Sequence, residues 1–253
     1  MIDPVAISFF GLKIHWYGIV YALGFLFSYF YIINYSKKYK IKNEISENIF
    51  FYFVIFSLIG GRLFHIVFYN ITYYVTNPVK IFYVWEGGMS IHGGIFFGAL
   101  VLYYFSKKYK IEYYNLTDTY VIPASLALSF GRLANFVNQE LIGIPTKNNF
   151  GVIFDRYDTV KRHPVQIYES FKNMITFQIL FYLDYFKNLK SGYLTALFLI
   201  IYNWGRFFTD FFRVHDLTLG FISMGQFLCV VYGLWGIIML YLLSQKTNKN
   251  KIN

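Results

Sequence analysis

The chain has one cysteine, five prolines and only 13 carboxylates in 253 residues. A lone thiol, Cys229, excludes an intrachain disulfide and a cysteine metal cluster, and it reads as a small buried hydrophobe. Charge is scarce altogether: Asp, Glu, Lys and Arg make up 14% of the residues, against 57% hydrophobic and 23% aromatic. A water-soluble globule of that composition would have too little polar surface to cover itself, so the soluble classes are excluded and a membrane protein remains. No fixed-period repeat is visible, and no interrupted span in one half has a counterpart in the other, which argues against a secondary transporter.

What is present is a series of apolar runs, most of them long enough to cross about 30 Å of hydrocarbon at about 1.5 Å per residue. Seven spans are expected, at roughly 17–36, 48–69, 88–105, 117–137, 165–186, 193–212 and 223–243, all helical because a helix satisfies its own backbone in lipid. The reading is an all-α polytopic membrane protein, a single integral membrane domain over 1–253 with a small extracytoplasmic segment at about 138–164. Lys37, Lys38, Lys40, Lys42, Lys107, Lys108, Lys110, Lys187, Lys190, Lys246, Lys249 and Lys251 all fall in connections on one side of this arrangement. The positive-inside rule makes that side cytoplasmic, with the N-terminus outside and the C-terminus inside. The formal charge of +10 is then mostly a topology signal and an attraction to anionic headgroups, which argues against nucleic acid as a partner. The N-terminal MIDPVAISFF has no basic stretch before its apolar part, so the first span is expected to be a retained anchor.

Ionisable groups inside such spans cost about 2.5–3.5 kcal/mol each on insertion scales and call for a partner or a task. Arg62, Arg132, Arg206, Asp210 and Arg213 come late in outward-running spans, while Tyr17, His92, His163, Gln166 and Glu169 come early in inward-running ones. All therefore lie in the outer half, where one cavity would account for them. An ion path would instead carry polar groups through both leaflets. At about 100° per residue, Arg132, Asn135 and Gln139 share a helix face, and Arg206, Asp210 and Arg213 form an i, i+4, i+7 stripe. Arg206 and Asp210 can neutralise each other. Arg62, Arg132 and Arg213 are left needing an anion, and a lipid phosphate would suit guanidinium. In Gly87-Gly88-Met89-Ser90-Ile91-His92-Gly93-Gly94, the glycines let the backbone bend and approach a ligand, and Ser90 is placed to cap a helix. His92 would sit in its first turn, where the helix dipole favours a neutral ring able to accept a proton. His15, His65, His163 and His215 read as structural, with His163-Pro164 as a helix start.

The stretch GRLANFVNQELIG at 131–143 resembles the signature of the bacterial prolipoprotein diacylglyceryl transferases, Gly-Arg-x-(Gly/Ala)-Asn-Phe-(apolar)-Asn-x-Glu-x-x-Gly, at every specified position. His15-Trp16-Tyr17-Gly18, Gly60-Gly61-Arg62, the Gly-Gly-Met-Ser-Ile-His-Gly-Gly run, His163 to Glu169, Arg206 to Arg213 and Ile222 to Gln226 follow in family order. The resemblance covers essentially the whole chain. It implies transfer of the diacylglyceryl group from phosphatidylglycerol to the lipobox cysteine of a prolipoprotein signal peptide, forming a thioether and releasing glycerol 1-phosphate. It also implies a bacterial cytoplasmic (inner) membrane enzyme with its site toward the extracytoplasmic side and without cofactor or metal. Carried over residue by residue, His92, Arg132, Arg206 and Tyr17 are the expected catalytic set, and Arg132, Asn135, Glu140, Asp210 and Gly143 the expected phosphatidylglycerol contacts. Two departures stand out: Asp210 occupies a position where the family is expected to have glutamate, and the segment between Gly143 and His163 is shorter than in many members.

Overall fold

The computed structural model describes residues 3–9, 12–84, 87–187, 189–214, 218–219 and 222–252; His215 lies outside them. In chain order the elements are β1 (Val5–Phe9), β2 (Leu12–His15), α1 (Trp16–Ser36), α2 (Asn43–Tyr69), α3 (Ile71–Thr76), α4 (Ile91–Tyr109), α5 (Tyr113–Asn138), β3 (Val152–Ile153), β4 (Lys161–Arg162), α6 (Val165–Lys187), α7 (Tyr193–Asp210), β5 (Thr218–Leu219), β6 (Ile222–Ser223) and α8 (Met224–Ile252). Each of the seven expected spans is a helix, displaced by a few residues at most at its start.

Four of them are long and apolar enough to cross a membrane: Trp16–Tyr39, Asn43–Tyr69, Tyr113–Asn138 and Met224–Gln245. The helices α4, α6 and α7 have the length but a more polar composition, since α6 carries Gln166, Glu169, Lys172 and Asn173 and α7 carries Asn203, Arg206 and Asp210. Burial is inverted relative to a water-soluble protein. Phe68, Phe171 and Tyr185 are 68%, 69% and 72% exposed, whereas Gln166, Glu169, Asn173 and Asp210 are 1–3% exposed. Apolar rings outside and amides and carboxylates inside are what a hydrocarbon solvent selects.

Three two-stranded antiparallel ribbons, β1–β2, β3–β4 and β5–β6, add to the helices. They were not expected from the sequence, because strands of two to five residues leave no alternation to read.

The chain forms two compact units, Met1–Ser28 with Tyr120–Asn253, and Tyr29–Thr119. In the first, hydroxyls bond within or between helices: Ser125 donates to the Val121 carbonyl at 2.8 Å and Ser129 to that of Ser170, also at 2.8 Å, tying α5 to α6. In the second, α2 packs on α4 through glycine. A Cβ on Gly60 would stand 2.6 Å from the Gly93 carbonyl oxygen, so these positions allow close helix approach rather than the approach of a ligand.

Arg62, on α2, is not waiting for an anion. Its guanidinium donates to five backbone carbonyls of the segment after α3: Lys80 at 2.6 Å, Ile81 at 2.9 Å, Tyr83 at 3.2 Å, Gly87 at 2.5 Å and Gly88 at 3.0 Å. Gly87 and Gly88 have φ of 88° and 78°, a backbone shape that only glycine adopts cheaply. Ser90 then donates its N–H to the Gly61 carbonyl at 2.9 Å and begins α4 in extended conformation, without the side-chain cap bond expected of it.

Candidate active site

Several polar residues of the first unit form a connected network. Glu169, on α6 and 3% exposed, is its centre. One carboxylate oxygen meets Arg132 Nε at 2.5 Å and the other meets Arg206 Nη1 at 2.8 Å. Arg132 is therefore paired, contrary to the expectation that it needs an external anion. Arg206 also reaches Asp210 Oδ1, but at 3.6 Å, and the Asp210 carboxylate accepts the Ser223 hydroxyl at 2.5 Å. The expected Arg206–Asp210 neutralisation is thus secondary to Glu169. Glu169 was legible as a buried carboxylate that needed partners. Its role as the shared acceptor of two helices was not, because that choice is made between elements far apart in sequence.

From Arg132 the network runs outward along the end of α5. Arg132 Nη1 donates to Asn135 Oδ1 at 3.3 Å, and Asn135 Nδ2 donates to Glu140 Oε2 at 2.8 Å. Asn138 donates to the other oxygen of Glu140 at 3.2 Å, and Gln166 donates to the Glu140 carbonyl at 2.5 Å. Tyr17, at the start of α1, is within electrostatic reach of Glu140 and Asn135, and its hydroxyl meets that of Tyr21 at 3.2 Å. Gln139 does not share the face of Arg132. The helix stops at Asn138, Gln139 turns into the left-handed region with φ of 59°, and its side chain accepts the Arg156 N–H at 2.9 Å.

Arg213 falls beyond α7, so the expected three-residue stripe holds only for Arg206 and Asp210 as helical positions. The Arg213 backbone bridges Gly143, and among the described residues its guanidinium has neither a hydrogen bond nor an ion pair. Among the described residues, Arg132, Lys172, Arg206 and Arg213 all lie within electrostatic reach of Glu169. Lys172 is occupied: its Nζ lies 3.8 Å from the Tyr202 ring centroid and donates to the Tyr202 carbonyl at 3.4 Å. Among the described residues Arg213 is the guanidinium of this cluster with no direct partner, a suitable place for a phosphate oxygen.

Gly143 is held on both sides. Ile144 donates its N–H to the Phe212 carbonyl at 2.9 Å, His163 donates to the Ile144 carbonyl at 3.1 Å, and Arg162 Nη1 donates to the Gly143 carbonyl at 3.1 Å. Arg162, absent from the sequence-based set, is in turn held by Asp158 at 2.5 Å. That hydrogen bond keeps the Asp158 carboxyl below the usual carboxylate range. A lowered value means the pairing is complete above about pH 4 and is lost as pH falls through it. Amide exchange in 144–162, corrected for its intrinsic pH dependence, is expected to stay flat from neutral pH to about 4 and to rise below that.

The sequence model of the prolipoprotein diacylglyceryl transferase family matches residues 4–242. The chain belongs to that family. It is 36% identical over 256 residues to the phosphatidylglycerol–prolipoprotein diacylglyceryl transferase of Ehrlichia ruminantium (strain Welgevonden), covering 98% of this chain and 99% of the relative. The enzyme of the same name from Rickettsia conorii is 38% identical over 257 residues, covering 98% of each chain. That of Francisella tularensis subsp. holarctica is 36% identical over 262 residues, covering 99% and 96%.

As a transferase of this family, the protein has most of its expected site residues in one network: Arg132, Asn135, Glu140, Arg206 and Asp210, with Tyr17 near Glu140 and Gly143 bridged to Arg213. His92 belongs to the other unit, as the exposed second residue of α4. A Cβ at Gly143 would collide with the carbonyl oxygens of His163 and Phe212. Gly143→Ala is expected to destabilise the detergent-solubilised transferase by about 1–3 kcal/mol, read by thermal denaturation, and to lower activity with it.

Proposed function

We propose that the protein transfers the diacylglyceryl group of phosphatidylglycerol to the thiol of a lipobox cysteine in a prolipoprotein signal peptide. The observation that carries this reading is the convergence of Arg132 and Arg206 on Glu169, beside an Arg213 whose guanidinium has no direct partner among the described residues, in a chain matched over nearly its whole length by the family. A lipid phosphate approaching Arg213 would add an anion to a cluster that has positive charge to spare.

The incoming thiol, with an ordinary pKa of about 8.5, is mostly protonated at neutral pH and requires a base. His92 is assigned that task by the motif it occupies. Its imidazole takes the thiol proton, the sulfur attacks the glyceryl carbon bearing the phosphate ester, and the carbon–oxygen bond breaks as the carbon–sulfur bond forms. The electron pair leaves on glycerol 1-phosphate, whose charge Arg132, Arg206 and Arg213 stabilise. Tyr17, Asn135 and Glu140 hold the headgroup hydroxyls. No cysteine of the enzyme is needed, because the nucleophile arrives with the substrate.

The same reading places α1, α2, α4, α5, α6, α7 and α8 across the bacterial inner membrane, with the N-terminus and the reactive network on the extracytoplasmic side. The lysines of the opposite connections support it.

The test is incubation of the protein, reconstituted in phosphatidylglycerol vesicles, with a lipobox peptide. A diacylglyceryl mass increment on the cysteine and an equal amount of glycerol 1-phosphate are expected. Folded protein that retains the lipid but leaves the thiol free would mean a lipid-binding scaffold instead.

A further inference from the structure

The six residues Ser-Lys-Lys-Tyr-Lys-Ile occur twice, at 36–41 and 106–111, where α1 and α4 end. Both copies fold alike. Lys40 and Lys110 take the left-handed conformation, with φ of 57° and 54°. The next N–H returns to the serine carbonyl, Ile41 to Ser36 at 3.2 Å and Ile111 to Ser106 at 2.9 Å, and both serines are buried. This closure usually employs glycine, because a side chain in that conformation meets its own backbone. Lysine at both positions forgoes that relief.

The two turns line one cavity of about 380 Å³, together with Tyr39, Lys42, Tyr109 and Glu112. Lys40, Lys42 and Lys110 face a single carboxylate there, and none of their side chains has a hydrogen bond or ion pair among the described residues. The cavity sits where the apolar helices α1, α2 and α5 begin or end, which is the level of the bilayer surface, and Tyr39 and Tyr109 are the rings that favour that level. None of its residues belongs to the reactive network. We infer that this cavity holds the phosphate headgroup of an anionic phospholipid from the leaflet that these two connections face. The size suits a glycerophosphate headgroup, and basic side chains at a membrane surface attract anionic lipid.

The experiment uses the full chain in phosphatidylcholine nanodiscs doped with phosphatidylserine, with retained phosphatidylserine read by native mass spectrometry, so turnover plays no part. Lys40→Gly/Lys110→Gly removes two charges while giving each turn the residue its backbone prefers. This double variant is expected to fold with an unchanged or higher thermal midpoint and to retain phosphatidylserine about tenfold less well. Lys37→Gln/Lys107→Gln removes the same charge from the same connections outside the cavity lining and is expected to retain lipid like the wild type. Equal losses in both variants would reduce the effect to diffuse attraction and overturn the site. Undiminished retention in the glycine variant would do so too. Displacement of the lipid by inorganic phosphate at matched concentration would make the occupant a free anion and overturn the lipid assignment.

Discussion

Glu169→Gln is expected to lower the thermal midpoint of the detergent-solubilised protein by roughly 6–20 °C and to abolish transfer. The side chain keeps its shape and loses only its charge, so the effect isolates the carboxylate. Arg132 and Arg206 both depend on it, at 2.5 Å and 2.8 Å, and the nearest alternative for Arg206, Asp210, lies 3.6 Å away and already accepts the Ser223 hydroxyl. Leaving a buried charge without its partner costs about 3–5 kcal/mol, and each kcal/mol shifts a chain of this size by about 2–4 °C. Added phosphate should raise the midpoint of the variant more than that of the wild type, because an anion can stand in for the missing carboxylate. A midpoint unchanged within error would show that the two arginines do not rely on Glu169.

The second large effect concerns His92. His92→Gln is expected to reduce turnover by about 10²–10⁴-fold, the usual contribution of a general base, while the thermal midpoint stays put. The side chain is exposed in the first turn of α4, so the substitution fills no packed site and little stability is at stake. A base must be neutral to act, so the wild-type rate rises with pH and falls as pH drops. In the variant the rise should move up toward the range where the peptide thiol ionises unaided, about 8.5. Single-turnover rates across pH with a lipobox peptide would check this, and wild-type behaviour would remove His92 from the chemistry.

Much of this architecture could be read from residue order. The helices follow from apolar run length, and the membership of Tyr17, Arg132, Asn135, Glu140 and Arg206 in one polar region follows from the cost of burying such groups in hydrocarbon. What could not be read depends on partners that carry no side-chain label. Arg62 reads as lacking an anion because its acceptors are backbone carbonyls, which every residue type offers equally. Gln139 reads as continuing a helix face because nothing in its identity announces a left-handed residue. The pairing of Arg206 with Glu169 in preference to the nearer-in-sequence Asp210 is decided by how α6 meets α7, and helical spacing within α7 is blind to it. Asp210 carries one methylene fewer than the glutamate expected in the family, and it is turned instead to Ser223 at the end of β6, just before α8.

Arg62 also bears on the order in which the protein is made. Its five acceptors lie 18 to 26 residues further along the chain. A nascent polypeptide completed only through Asn70 therefore contains the whole of α2 with a guanidinium and none of its carbonyl partners. The helix and the carbonyls that solvate its guanidinium reach the translocation machinery at different times, and α3 with the turn after it occupies that interval. Until Gly88 has been synthesised, α2 is a poorer candidate for the hydrocarbon than its final surroundings make it.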